Sequence, residues 1–253
     1  MNASVNLSLA CYPGRTVAQA MALAETAAAS GQGSTVQVQI CPQNTGMLDV
    51  DMAAGLVEAY PDTEFRLHAN ARVVGWSSLA DLASLPQHLY YVAELGRVSK
   101  TLSAPAYTIH AGLRGHASLS QLQSNLLLCE DIFDCPVGIE GMYPTADDRY
   151  NISTWQEYRA VFERSMRYAL DLSHLNILAC KTGMRDDGLV REMLASDQCL
   201  EIHLSGNDGE HDQHAPVDGD VWWRPLLAYA HPDAVLFTEE NRLRSAGMKP
   251  CQT

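Results

Sequence analysis

The chain has 253 residues, 47% of them hydrophobic and 19% charged, which excludes wholesale disorder and allows one sizeable core. Its 17 basic and 30 acidic residues leave a formal net charge of -13. That balance works against a phosphate-rich partner, because affinity for nucleic acid comes largely from Lys and Arg, whereas bound cations would offset it.

Residues 5–10 alternate as a first strand, closed by Pro13 and Gly14, and Thr16 can cap an alanine-rich helix through Glu25. Residues 35–40 form a second strand and 51–60 a helix, and residues 65–68 a third strand ending in His68. A helical region is expected over residues 77–102, broken near Pro86, and then a fourth strand over 106–110, a helix over 118–129 and a fifth strand over 135–140. A helix over 154–166 leads to a sixth strand at 168–171, with residues 176–180 as the alternative strand. A helix over 188–194 precedes the seventh strand, where Leu200, Ile202 and Leu204 alternate with Glu201 and His203. A helix over 221–230 and an eighth strand over 234–239 complete the pattern. Eight strands alternating with helices, with no linker between them, predict an α/β fold in which residues 1–253 form a single (β/α)8 TIM barrel.

Catalytic groups of such barrels sit at the C-terminal ends of the strands. His68, His110, Glu140, Asp171, His203 and Glu239 all fall there. His174 follows Asp171 by three residues, and Asp212 and His214 form a D-x-H pair in the loop after the seventh strand. A lone strand-end histidine can be satisfied by a backbone carbonyl, and a lone glutamate by a salt bridge. Five histidines and four carboxylates together suit two or three metal ions, because one ion takes three or four protein ligands. No cysteine joins the set, which argues against a structural thiolate zinc site. His88, His116, His211 and His231 fall in expected helices or loops and are read as background.

The seven cysteines (Cys11, Cys41, Cys129, Cys135, Cys180, Cys199 and Cys251) are scattered without a C-x-x-C pair. They are expected as reduced thiols of a cytoplasmic protein, several of them buried in strands. The N-terminus has no basic segment ahead of an apolar one, and no apolar run approaches the roughly 18 residues of a membrane span, so neither signal peptide nor membrane contact is expected.

The order of donors resembles the xylose-isomerase-like superfamily of metal-dependent barrels over essentially the whole chain. Glu140, Asp171, His203 and Glu239 match the single-metal set of its sugar isomerases and epimerases, which leaves the other five donors unused. Its endonuclease IV branch, a zinc phosphodiesterase family, adds those five. Glu201-Ile202-His203-Leu204-Ser205-Gly206, followed by Asp212-x-His214-Ala215-Pro216-Val217 and Val221-Trp222, resembles the E-I-H-L-A-G…D-x-H-x-P-V…V-W signature of the multinuclear non-haem iron-dependent oxidative enzymes. That resemblance implies two or three irons in mixed Fe(II)/Fe(III) states, with O2 as co-substrate. It implies as metal ligands His68, His110, Glu140, Asp171, His174, His203, Asp212, His214 and Glu239, with Asp171 and His174 also catalytic. The implied reaction is oxidative modification of a cysteine in a ribosomally made peptide, its thiolate on iron and a hydrogen abstracted from its β-carbon. The implied partners are that Cys-containing precursor peptide and a small leader-peptide-binding protein, with no nucleic acid. Asn207 stands where family members often carry His, and the adjacent Glu239 and Glu240 would exchange roles on a one-residue strand slip.

Overall fold

A computed structural model describes residues 4–75 and 80–243. The strands are β1 (Val5–Ser8), β2 (Ser34–Ile40), β3 (Glu64–His68), β4 (Tyr107–His110), β5 (Val137–Glu140), β6 (Tyr168–Asp171), β7 (Cys199–Leu204) and β8 (Val235–Thr238). They pair in sequence order, all parallel, and β8 returns to β1 to close an eight-stranded barrel. The helices outside it are α1 (Val17–Ala29), α2 (Val50–Ala59), α3 (Leu89–Thr101), α4 (Leu119–Phe133), α5 (Trp155–Glu163), α6 (Leu172–Thr182) and α7 (Asp187–Leu194). Thr16 and Ser118 each open their helix with a reciprocal capping box, satisfying backbone N–H groups that the first turn leaves unpaired.

The period of two along each strand decides what lies inside. Leu67, Ile109, Ile139, Leu170 and Ile202 are at most 1% exposed. They belong to one apolar cluster with Met21, Leu56, Leu95, Leu126, Tyr158 and Leu178 of the helices. Burial of each such side chain is worth about 1.5–3 kcal/mol, so the cluster fixes which face of every strand turns outward. The next residue on each of those strands (His68, His110, Glu140, Asp171 and His203) is thereby turned into the barrel mouth. Register aligns them: His110 lies opposite Glu140, and Asp171 opposite His203.

Three expected elements differ. Among the described residues the helix expected over 77–102 begins at Leu89; Leu85–Gln87 is a 3-10 turn around Pro86, and residues 77–79 lie outside the described residues. The helix expected over 221–230 is a 3-10 segment, Arg224–Tyr229, because Pro225 lacks an N–H and disfavours α geometry at Arg224. Residues 176–180 lie within α6, so the sixth strand is Tyr168–Asp171. Of the buried thiols among the described residues only Cys199 lies in a strand; Cys129 is in α4, and Cys11 and Cys41 follow strand ends. No helix among the described residues is long and apolar enough to cross a membrane.

Candidate metal centre

The barrel gathers all nine candidate donors at one end. His68, Glu140, Asp171, His174, His203 and Glu239 are each at most 4% exposed, while Asp212 and His214 stand nearer the rim. Glu239 rather than Glu240 enters the group: Glu240 instead accepts the backbone N–H of Val217 at 2.9 Å.

Three triads of donor atoms lie within 4.8 Å of one another: His68, His110 and Glu140; His68, His203 and Glu239; and Glu140, Asp171 and His174. Glu140 sits at the junction, with Oε2 3.3 Å from His68 Nε2 and 3.4 Å from His203 Nδ1, and Oε1 3.5 Å from His174 Nδ1. At the rim, Asp212 Oδ2 lies 3.5 Å from His174 Nε2 and 3.3 Å from His214 Nε2. The triads are linked by shared donors, His68 between the first and second and Glu140 between the first and third, and His174 carries the third on to the rim pair.

Four of the five imidazoles are held from behind. His68 Nδ1 meets Thr108 Oγ1 at 2.8 Å, His174 Nδ1 donates to the Gly141 carbonyl at 2.9 Å, and His214 Nδ1 donates to the Glu239 carbonyl at 3.0 Å. His203 is reversed, with Nε2 3.1 Å from Glu201 Oε2 and Nδ1 turned inward. Such bonds fix the tautomer and leave the other nitrogen free to bind a cation. Asp171 likewise divides its oxygens. Oδ1 caps α6 through Ser173 N and His174 N at 2.6 and 3.1 Å, and Oδ2 faces His174 Nε2 at 3.5 Å.

The rim segment is held under backbone strain. His214 has φ +48°, a left-handed conformation that costs a non-glycine residue about 1–3 kcal/mol. It is fixed by a two-hydrogen-bond bridge between Gly206 and Ala215, at 2.7 and 2.8 Å, and by Asn241 N donating to its carbonyl at 2.7 Å. A Cβ at Gly206 would meet the Pro216 carbonyl oxygen at 2.3 Å, so glycine is required where the two segments cross.

The donor set fits a group of metal ions. Glu140 Oε2 and His203 Nδ1 are buried and lack a hydrogen-bond partner among the described residues, although they face each other. Orphaned buried polar atoms cost about 1–3 kcal/mol each, which a cation ligated by both would recover. Glu201 is matched by Arg66 at 3.3 Å, whereas the carboxylates of Glu140, Asp171, Asp212 and Glu239 have no Lys or Arg ion pair among the described residues. Two divalent cations would neutralise those four with every imidazole uncharged. Nitrogen and oxygen donors without thiols suit iron, zinc or manganese.

Without cations, protons occupy the same places. Burial opposes charge on His203 and His174, yet Glu239 and Glu140 around His203, and Asp171 and Asp212 around His174, hold both well above the usual imidazole range. His214 is pushed up to about 10, its burial outweighed by Asp212 and Glu239. Burial drives His68 down to about 3, and it raises Glu239 to about 7. Burial also opposes ionisation of Glu140, and the imidazoles of His68 and His203 more than offset it.

Some residues at the site have roles that their sequence pattern does not show. Glu201 is fully buried beneath the donors. Tyr143, on the loop after β5, lays its ring 4.9 Å from that of His174, and its phenol is pushed up to about 12 by burial and by Asp212, so it stays neutral. Asn207 donates to the Ser173 carbonyl and hydroxyl at 2.8 and 2.7 Å and accepts from Asn176 and Gly209, both at 2.8 Å, which ties the β7 loop to the first turn of α6. His116 and His211 are exposed, and His231 faces Asp233 away from the donors.

No protein-family model matches the chain, and no curated protein matches it. Solved structures do. A D-tagatose 3-epimerase-like protein aligns with a TM-score of 0.67 at 14% identity, over 94% of this chain and 91% of that one. An AP endonuclease, family 2, from Brucella melitensis aligns at 0.65 and 14% identity, over 96% and 94%. A xylose isomerase domain protein from Alicyclobacillus acidocaldarius subsp. acidocaldarius aligns at 0.61 and 12% identity, over 98% and 92%. At such identities the likeness establishes the fold alone, a closed (β/α)8 TIM barrel.

Proposed function

We propose that this chain is a multinuclear metalloenzyme, an iron-dependent oxidase that uses O2 to modify a cysteine of a ribosomally made peptide. The observation that carries the multinuclear reading is the convergence of His68, His110, His174, Asp212 and His214 on the four donors that a one-metal barrel uses. The choice of iron and of a cysteine substrate rests on the E-I-H-L-S-G…D-x-H pattern of residues 201–214 and on the net charge of -13, which suits a peptide better than DNA. His68, His110 and Glu140 would hold one ion, Glu140, His203 and Glu239 a second, and His174, Asp212 and His214 a third position beside Asp171. When bound, iron supplies O2 activation and a seat for a substrate thiolate.

The chain's own residues have the remaining tasks. The carbonyls of Gly141 and Glu239, together with Glu201 and Thr108, keep the lone pairs of His174, His214, His203 and His68 aimed at the basin. The neutral Tyr143 phenol and its ring form a wall over His174 against which a peptide side chain can pack and exclude water. Asp171 Oδ2 and His174 Nε2, buried 3.5 Å apart beneath the rim pair, would take up or return a proton while the third position is empty. A small partner protein that binds the peptide leader would supply recognition.

The fold comparisons lean towards a second reading, sugar epimerisation or phosphodiester hydrolysis, because the solved structures of this fold include proteins described as epimerases and an AP endonuclease. In the epimerase version Glu140 and Glu239 would be paired acid–base carboxylates on one metal. The three reactions separate in one set of assays on anaerobically purified protein. O2 uptake dependent on a Cys-containing peptide supports the oxidase. Cleavage of abasic-site DNA by the zinc-loaded protein, or epimerisation of a ketose with Mn2+, would replace it.

A further inference from the structure

Glu201 has no exposed surface, lies one layer below the donors on β7, and is the meeting point of four strands. Its Oε2 accepts from Gln39 Nε2 on β2 at 2.8 Å and from Thr108 Oγ1 on β4 at 3.2 Å, and stands 3.1 Å from His203 Nε2, which the Gln39 amide nitrogen also approaches at 2.9 Å. Its Oε1 accepts from Arg66 Nη1 on β3 at 3.3 Å. A carboxylate can only accept, and that settles one hydrogen position and favours another. Two groups meet His203 Nε2, the Glu201 carboxylate at 3.1 Å and the Gln39 amide nitrogen at 2.9 Å; the charged acceptor makes the stronger hydrogen bond and favours the proton on Nε2, which leaves Nδ1 for a cation. The Thr108 hydroxyl hydrogen goes to Glu201, so Thr108 accepts from His68 Nδ1–H at 2.8 Å and leaves Nε2 for a cation.

We propose that Glu201 is the positioning residue of the metal centre, one buried carboxylate that sets the tautomer and ring orientation of both His203 and His68 and so links two ligand groups. The inference rests on the multinuclear reading above and adds a residue that touches neither metal nor substrate. Gln39 and Arg66 keep this carboxylate ionised and in place; Arg66 Nη1 provides its countercharge inside the barrel. The two branches differ, because His203 depends on Glu201 directly and His68 depends on it through Thr108.

The test is Co2+ titration followed by visible absorption, which reads the number and geometry of the ligands without requiring turnover. In Thr108→Val, of nearly the same shape, Co2+ affinity is expected to fall about 10- to 100-fold for one ion only, with the remaining absorption bands unchanged. In Glu201→Gln the amide oxygen can still accept from His203, but the NH2 meets Arg66. Two ions are expected to weaken by about the same factor and their bands to shift. A Glu201→Gln, Arg66→Gln double variant removes both charges and serves if the single one does not fold. Wild-type affinities and bands in folded Thr108→Val and folded Glu201→Gln overturn the role of Glu201. Failure of the wild-type protein itself to bind Co2+ overturns the multinuclear reading, and this inference with it.

Discussion

His203 Nδ1 lies 3.4 Å from Glu140 Oε2, both atoms are buried, and neither has a hydrogen-bond partner among the described residues. Two polar atoms facing each other unpaired at the top of a barrel are best satisfied by a cation between them. Glu140 also faces His68 and His174, so it is the carboxylate that the ligand groups share. Glu140→Gln is expected to lower the bound metal by more than one ion per chain, whereas His110→Ala removes a single ion. Metal analysis of each purified variant checks this.

The rim should depend on Gly206. Gly206→Ala puts a methyl group 2.3 Å from the Pro216 carbonyl oxygen and breaks the bridge that holds His214 at φ +48°. The expected outcome is a loss of about 1–3 kcal/mol on thermal unfolding, with weaker binding of the ion held by His174, Asp212 and His214 and little change in the others. Calorimetry and metal titration read the two effects separately.

Protons and metal compete for the same atoms, so their pH dependences should have opposite signs. His214 sits at about 10 in the metal-free protein against an ordinary 6.5 when unfolded. Its stabilising charge is fully present below pH 6.5 and is lost as pH rises towards 10. His203 and His174, also held above their ordinary range, act in the same direction. Metal-free protein should therefore become less stable from pH 7 to pH 9, by up to about 1.4 kcal/mol per pH unit for each such proton. Metal binding expels those protons, and Glu239, at about 7, gives up its own. Metal affinity should accordingly rise with pH. Unfolding of both forms at several pH values, with proton release measured by calorimetry in two buffers, tests both signs.

Asn207 spends its whole amide on hydrogen bonds, three of which join the β7 loop to Ser173 and Asn176 while the fourth comes from Gly209. Asn207→Ala should leave at least one buried group unpaired, cost about 1–3 kcal/mol in thermal unfolding, and loosen the His174–Asp212 pair. A Co2+ spectrum in which only the rim ion changes is the expected signature.

The strand-end donors were legible because outward Leu and Ile alternate with inward polar residues, a pattern that depends on chain-local spacing alone. Glu201 shares that alternation but has no role legible in sequence: its partners Gln39, Arg66 and Thr108 lie on three other strands, and nothing local shows that a carboxylate will face the far side of a ligand. Tyr143 sits in an irregular loop after β5, where no period places a side chain. The helix expected at 221–230 failed on Pro225, whose missing N–H outweighs the apolar spacing around it. Glu239 and Glu240 could be told apart only once β8 had a register against β7, which the sequence does not specify.

The most direct measurement is the number and identity of metal ions per chain in protein purified without oxygen, by elemental analysis with iron Mössbauer spectra. Two or three irons per chain, in magnetically coupled environments, is the expected result. One ion or none per chain, or zinc alone, would contradict the account.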